Sequence, residues 1–220
     1  MSADPQAAVD AASSSMGAET DSGFHDGSRL IHAHVTRPIV EQLTQAAAHT
    51  VLDLGCGNGW FTQSLQRCGF DVVGVDHDET LVRQAQQQRP AVRFQRMDAL
   101  QGVPHDWVGR FDAVVAIDLI DHVPLPRRVV ATAAAALKPG GLLVMTCAYH
   151  GYAKNLALAL AGRFDARWDP LQADGRLKFF SRATLGALMS EFEWQTLRFQ
   201  TIGRMPMVAR SMLVVAVKPV

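Results

Sequence analysis

From Thr50 onward, short runs of β-branched and aliphatic residues alternate with segments of helical length, and nothing else in the chain constrains its fold as strongly. The runs are Val51 to Leu54, Val72 to Val75, Val92 to Gln95, Ala113 to Ile117 and Leu142 to Thr146. Such alternation implies a parallel sheet, because each strand needs a crossover to return the chain to the same edge. Trp60 to Arg67, Thr80 to Gln88 and Arg127 to Leu137 supply the crossovers, with Pro126 suited to the first turn of the last. Lys138-Pro139-Gly140-Gly141 then stops that helix and turns the chain into the fifth strand. Ser181 caps a further helix, Arg182 to Glu191. Two last runs, Gln195 to Thr201 and Met212 to Lys218, are joined by a loop carrying Gly203 and Pro206, too short for a crossover, so they pair antiparallel.

The first strand leads into a loop that narrows the chemistry. Val51-Leu52-Asp53-Leu54-Gly55-Cys56-Gly57-Asn58-Gly59 reads as a buried strand emptying into a glycine turn that opens a helix. Glycines at alternate positions let the backbone approach a nucleotide-like ligand and tolerate the positive φ angles of a tight turn. They fall as G-x-G-x-G followed by Trp60, whereas a dinucleotide fingerprint needs G-x-G-x-x-G, so the spacing disfavours a pyrophosphate-binding dehydrogenase.

Length and charge exclude other classes. The 220 residues suit one domain, 30–220, and the 21 basic residues balance the 21 acidic ones, so no global field draws the chain to nucleic acid. Cys56, Cys68 and Cys147 form no C-x-x-C pair, which suits a reducing compartment and offers no zinc site. Residues 1–29 are rich in Ala, Ser, Asp and Gly, without a basic start or an apolar run, and read as a disordered tail rather than a signal or anchor. No apolar stretch approaches the ~20 residues needed to span a bilayer, and a cytoplasmic location is expected. Nothing in the sequence dictates an oligomeric state.

VLDLGCGNG, Asp76 near the end of the second strand, Met97-Asp98-Ala99 after the third and LKPGG before the fifth together resemble the class I S-adenosylmethionine-dependent methyltransferases. The resemblance covers roughly Thr50 to Lys218. Ile117 to Val123, Tyr149 to Leu156 and Gly203-Arg204-Met205-Pro206 with Ser211-Met212 are similar to segments of the ubiquinone-biosynthesis O-methyltransferase group. That group often has Glu where this chain has Asp118 and Asp121, so each carboxylate here sits about one methylene further back. The resemblance implies an α/β, Rossmann-like sheet of seven mostly parallel strands with an antiparallel C-terminal strand. Helices cover both faces, and a lid is inserted at about 149–180. It also implies S-adenosylmethionine as cofactor and a small-molecule acceptor methylated on an oxygen. N- or C-methylation, or cofactor binding without turnover, are the alternatives.

Roles for individual residues follow. Asp53 orients the glycine loop or meets the ligand ammonium, and Gly55, Cys56, Gly57, Asn58, Gly59 and Trp60 give backbone access to the cofactor. Asp76, with His77 beside it, is placed to accept the ribose hydroxyls, the alternative being an ordinary loop acid. Met97, Asp98 and Ala99 suit the adenine, or a turn. Asp118 suits the sulfonium end, or a cap. His122 is the candidate general base for a hydroxyl proton, with Asp121 beside it, and a structural histidine is the alternative. Asp118, Asp121 and His122 are residue types that also take a divalent cation, but no metal site is assigned. Tyr149, His150, Tyr152 and Trp168 are the substrate candidates. Lys154, Asn155, Phe164, Phe179 and Phe180 lie around them, and Lys178 and Arg204 are possible partners for an acidic or phenolate acceptor. His34 and Arg37 are weaker candidates to cover the cofactor.

Overall fold

The computed structural model describes residues 26–163, 176–202, 209 and 211–220. Seven strands form one sheet: β1 (Thr50–Leu54), β2 (Asp71–Asp76), β3 (Arg93–Arg96), β4 (Phe111–Ile117), β5 (Leu137–Ala148), β6 (Gln195–Ile202) and β7 (Ser211–Val217). Their order is β3-β2-β1-β4-β5-β7-β6. The first five pair in parallel, and β7 lies antiparallel to both β5 and β6. The helices are α1 (Asp26–Gln45), α2 (Trp60–Arg67), α3 (Glu79–Gln88), α4 (Pro126–Ala136), α5 (Tyr152–Leu160) and α6 (Arg182–Ser190).

Side chains alternate across the sheet, and that alternation divides the core in two. Leu52, Leu54, Val73, Val75, Val114 and Ala116 pack on one face with Val129, Val130, Leu185 and Met189 of α4 and α6. Val51, Val72, Ala113 and Val115 pack on the other with Ile39, Leu43, Phe61, Leu65 and Val82 of α1, α2 and α3. Both faces being covered, the central strands are apolar almost throughout, as parallel strands must be.

Three boundaries differ from the sequence reading. Helix α4 ends at Ala136 because Leu137 already has extended angles (φ −75°, ψ 140°), so Lys138-Pro139-Gly140-Gly141 lies within β5 rather than before it. The extra length is absorbed as a bulge: Phe111 pairs with Leu137, and Ala113 pairs next with Leu142. The N-terminal helix begins at Asp26, inside the expected tail, and the rest of that tail lies outside the described residues. The segment read as a lid contains helix α5, and Phe164 and Trp168 lie outside the described residues, as do Gly203 to Pro206. Ser181 caps α6 as expected: its side chain accepts from the Thr184 amide while the Thr184 hydroxyl accepts from the Ser181 amide.

Candidate functional site

The order β3-β2-β1-β4-β5 makes the chain run outward from β1 to β3 and then return to the other side of β1. Adjacent loops therefore leave in opposite directions above β1 and β4, and the crevice they open at the carboxyl ends is where such sheets bind ligands. The glycine turn rises from one wall and the loop after β4 from the other. They touch through Leu119, whose side chain fills the space a Cβ on Gly55 would need.

Two glycines of this turn do different work. Gly59 has φ 81° and begins α2, and a Cβ there would come within 2.4 Å of Phe94, so this glycine allows helix and strand to close-pack. Gly57 also has positive φ, 54°, yet nothing lies within 4 Å of where its Cβ would be. That open space above a bare backbone is what close approach of a ligand requires. The turn is fastened from below: Gly55 and Cys56 amides donate to the Val75 carbonyl, the Trp60 amide donates to Asn58 Oδ1, and Arg89 Nη1 reaches the Asn58 carbonyl at 2.9 Å. Burial pushes the Cys56 thiol up, with the Asp53 and Asp76 carboxylates adding to the effect, so it is an inert thiol.

Four carboxylates gather around the crevice. Asp53 is buried and accepts from Thr62 Oγ1 of α2 at 2.6 Å, tying strand to helix. Burial raises its pKa to about 7, opposed by the Thr62 hydrogen bond and reinforced by the Asp76 charge. Asp76 accepts the Gly57 amide at 2.9 Å through Oδ2 and the Asp78 amide at 3.0 Å through Oδ1, with His77 Nδ1 3.2 Å from Oδ1. A carboxylate has roughly four lone-pair sites, so both oxygens retain acceptor capacity. Asp118 holds φ 50°, a left-handed conformation rare outside glycine. Thr146 holds it there: its carbonyl and Oγ1 both accept from the Asp118 amide, and Oγ1 donates to Asp118 Oδ1 at 2.9 Å.

Asp121 differs from what its place beside His122 suggested. Its side chain is buried and turned inward, where Oδ2 accepts from Arg176 Nε at 2.8 Å and from the Ala148 amide at 3.3 Å. Its carbonyl accepts the Leu177 and Lys178 amides. It thus joins the β4 loop, the end of β5 and the strap at 176–180. Burial raises its pKa, with the Asp118 charge adding and the charges of His122 and Arg176 opposing. His122 lies at the surface, its amide donating to the Leu119 carbonyl.

The third loop follows a more ordinary pattern. Asp98 forms a turn, accepting from the Leu100 amide at 2.8 Å and Gln101 Nε2 at 3.1 Å, which is the alternative already open from sequence. Met97 is half-buried against the core with its amide on the Asp76 carbonyl, and the Ala99 carbonyl accepts from Thr132 Oγ1.

The substrate candidates are only partly brought together. Tyr149 bridges to Phe180, and the His150 ring meets Phe179 edge-on at 4.9 Å between centroids. Tyr152 is 84% exposed at the start of α5. Lys154 is buried instead of facing an acceptor, its ammonium donating to the Tyr149 and Ala209 carbonyls. Trp168 and Arg204 lie outside the described residues, as does the side chain of His34, while Arg37 pairs with Glu41 on the exposed face of α1. Thr62, Arg89, Thr146 and Arg176 are participants the sequence reading missed. A threonine just before the end of the fifth strand was the one legible signal among them.

Asp118, Asp121 and His122 do not make a cation cradle. Asp121 is committed to a guanidinium and Asp118 to Thr146, and among the described residues no group of His, Cys, Asp and Glu is arranged to hold a metal ion. Among the described residues no helix is long and apolar enough to cross a membrane.

Comparisons with known proteins agree with this geometry. Residues 28–198 match the family model described as a methyltransferase domain. A ubiquinone biosynthesis O-methyltransferase from Coxiella burnetii is 38% identical over 118 residues, 52% of this chain and 49% of that protein. The chain therefore spans about half the length of that curated relative. One of the same name from Xanthomonas oryzae pv. oryzae is 30% identical over 169 residues, 74% of this chain and 71% of that protein. In fold, the chain is similar to magnesium protoporphyrin IX methyltransferase from Synechocystis, crystallised with bound SAH, at a TM-score of 0.69 and 18% identity, covering 94% of this chain and 93% of that one. The chain belongs to the class I S-adenosylmethionine-dependent methyltransferases, and S-adenosylmethionine is its cofactor.

Proposed function

We propose that this chain transfers the methyl group of S-adenosylmethionine to a hydroxyl oxygen of a small organic acceptor. The observation that carries the reading is the open backbone at Gly57 beside Asp76, at the switch point of the sheet. When bound, the cofactor supplies an electrophilic methyl on a sulfonium: the acceptor oxygen forms the new C–O bond, the S–C bond breaks, and its electron pair stays on sulfur.

The chain's own groups divide the remaining work. Gly55, Cys56, Gly57, Asn58, Gly59 and Trp60 line the backbone approach, and Asp53 fixes that turn through Thr62. Asp76, flanked by His77, offers spare lone pairs to the ribose hydroxyls. Met97, Asp98 and Ala99 border the adenine, and the strained, Thr146-held Asp118 places negative charge toward the sulfonium end. His122 takes the hydroxyl proton, and Asp121 serves as a positioning residue through the strap rather than as a reacting group. Most of the rate comes from holding donor and acceptor in line.

Incubation with S-adenosylmethionine and a panel of hydroxylated aromatics, read by S-adenosylhomocysteine release and NMR of the product, tests this. An O-methyl product is expected. Exclusive N- or C-methyl products would overturn the oxygen assignment, and cofactor binding without release across the panel and matched amines would reduce the chain to a binding protein.

A further inference from the structure

Beside the crevice lies a groove of about 800 Å³, bounded by Pro124 to Ala131 at the start of α4, by the strap at 178–180 and by α6. Its volume is that of a small-molecule site. Its lining is unusual for one: Phe179, Phe180 and Phe192 supply aromatic surface, while Arg127, Arg128 and Lys178 supply only positive charge. Arg127 is neutralised by a two-pronged pair with Glu191, at 2.6 and 2.8 Å. Arg128 and Lys178 have no carboxylate partner among the described residues, so two cations face an aromatic slot without a counter-charge.

The groove starts next to the candidate reaction site along the chain. Pro124 stands two residues after His122, so the groove wall begins within about 7 Å of the candidate base, the reach of two extended residues. Phe179 is shared: it lines the groove and packs edge-on against His150. The strap carrying Lys178 is hung from the Asp121 carbonyl by the Leu177 and Lys178 amides. An aromatic ring in this slot with an acid at one end would meet the cations there.

We propose that this groove seats the methyl acceptor and selects aromatic acceptors that carry a carboxylate. The selection lies in Arg128 and Lys178: each offers charge-assisted hydrogen bonds to a carboxylate, which a neutral ester does not match. The proposal rests on the methyl-transfer reading above and names the acceptor class for it.

The test compares para-hydroxycinnamate with its methyl ester. In turnover, the acid is expected to exceed the ester at least tenfold in kcat/KM at low salt, with the ratio narrowing as salt screens the exposed cations. The double variant Arg128→Gln, Lys178→Gln should bring the ratio near one, while Arg128→Lys should retain most of it. Calorimetry in the presence of S-adenosylhomocysteine measures the same preference as a ratio of Kd values, without turnover. Binding of the acid over the ester with no product would uphold the groove and sink the methyl-transfer reading. Equal handling of acid and ester, binding of neither, or a preference untouched by the double variant would overturn the groove.

Discussion

The two ends of the sheet treat their carboxylates in opposite ways. At the amino end, Asp112 accepts from the His49 and Thr50 amides, the Thr50 hydroxyl and the Lys138 ammonium, the last at 2.6 Å. Burial works against its charge, but Lys138 and these hydrogen bonds outweigh it and hold the carboxyl well below the usual range. At the carboxyl end, Asp53 and Asp121 are both pushed upward by burial, with Asp76 and Asp118 as like-charged neighbours. One end spends its charge on joining β1, β4 and β5. The other also ties elements together, through Asp53 and Thr62 and through Asp121 and Arg176, but against a burial cost that raises both carboxyls, a pattern that clusters at functional sites.

The sharpest break between the ends should come from activity. His122→Ala is expected to lower kcat by 10² to 10⁴, the usual range for a lost general base, with cofactor affinity nearly intact. A kcat that keeps its value and its pH dependence would remove His122 from the reaction.

The titration behaviours should then run in opposite directions. Asp53 has a folded pKa raised to about 7 from 3.8, so its protonated form favours the fold at low pH. That contribution is complete below about pH 4 and is lost as pH rises through 7, up to roughly 4 kcal/mol at about 1.4 kcal/mol per unit. Asp53→Asn should therefore be more stable than the parent at pH 8, with the advantage shrinking toward pH 4 in urea unfolding. An advantage independent of pH would contradict a buried, raised carboxyl. Asp112→Asn should cost about 1–2 kcal/mol at pH 7, and the cost should fade below about pH 4, because a depressed carboxyl stabilises only while ionised.

Within the carboxyl end, the glycine turn sharpens the division between folding and binding. Gly59→Ala collides with Phe94 and should cost about 2–3 kcal/mol in stability. Gly57→Ala meets no neighbour and should cost only about 1–2 kcal/mol from its left-handed conformation, yet weaken cofactor binding. If Gly57→Ala leaves cofactor affinity unchanged, the open space there is not the approach path.

Much of the fold was legible because period and punctuation are local. Helix α2 runs from Trp60 to Arg67, the span its sequence pattern indicates, and the parallel strands follow their β-branched runs. β5 was shortened in the sequence reading because Pro139 and two glycines look like a turn, and only its pairing with β4 absorbs them as a bulge. In the candidate site, the glycines follow β1, Asp76 ends β2 and Asp118 follows β4, positions that local sequence pattern already marks as strand ends. The inward turn of Asp121 was hidden, since its partner Arg176 comes from a distant segment with no periodicity of its own. Tyr152, read as a substrate candidate from its aromatic type, stands exposed at the start of α5, a placement its residue type alone does not encode. The groove was invisible for the same reason as Arg176: it is assembled from the starts of two helices and a strap.

Calorimetric titration of S-adenosylmethionine into the parent, Asp76→Ala and Asp112→Asn tests the contrast between the two ends most directly. The parent should show one saturable site, Asp76→Ala should weaken it about 100-fold or more, as lost charge-assisted hydrogen bonds to two hydroxyls imply, and Asp112→Asn should leave it within a few-fold. Parent-like affinity in Asp76→Ala, or an equal loss in Asp112→Asn, would contradict the assignment of cofactor binding to the carboxyl end of the sheet.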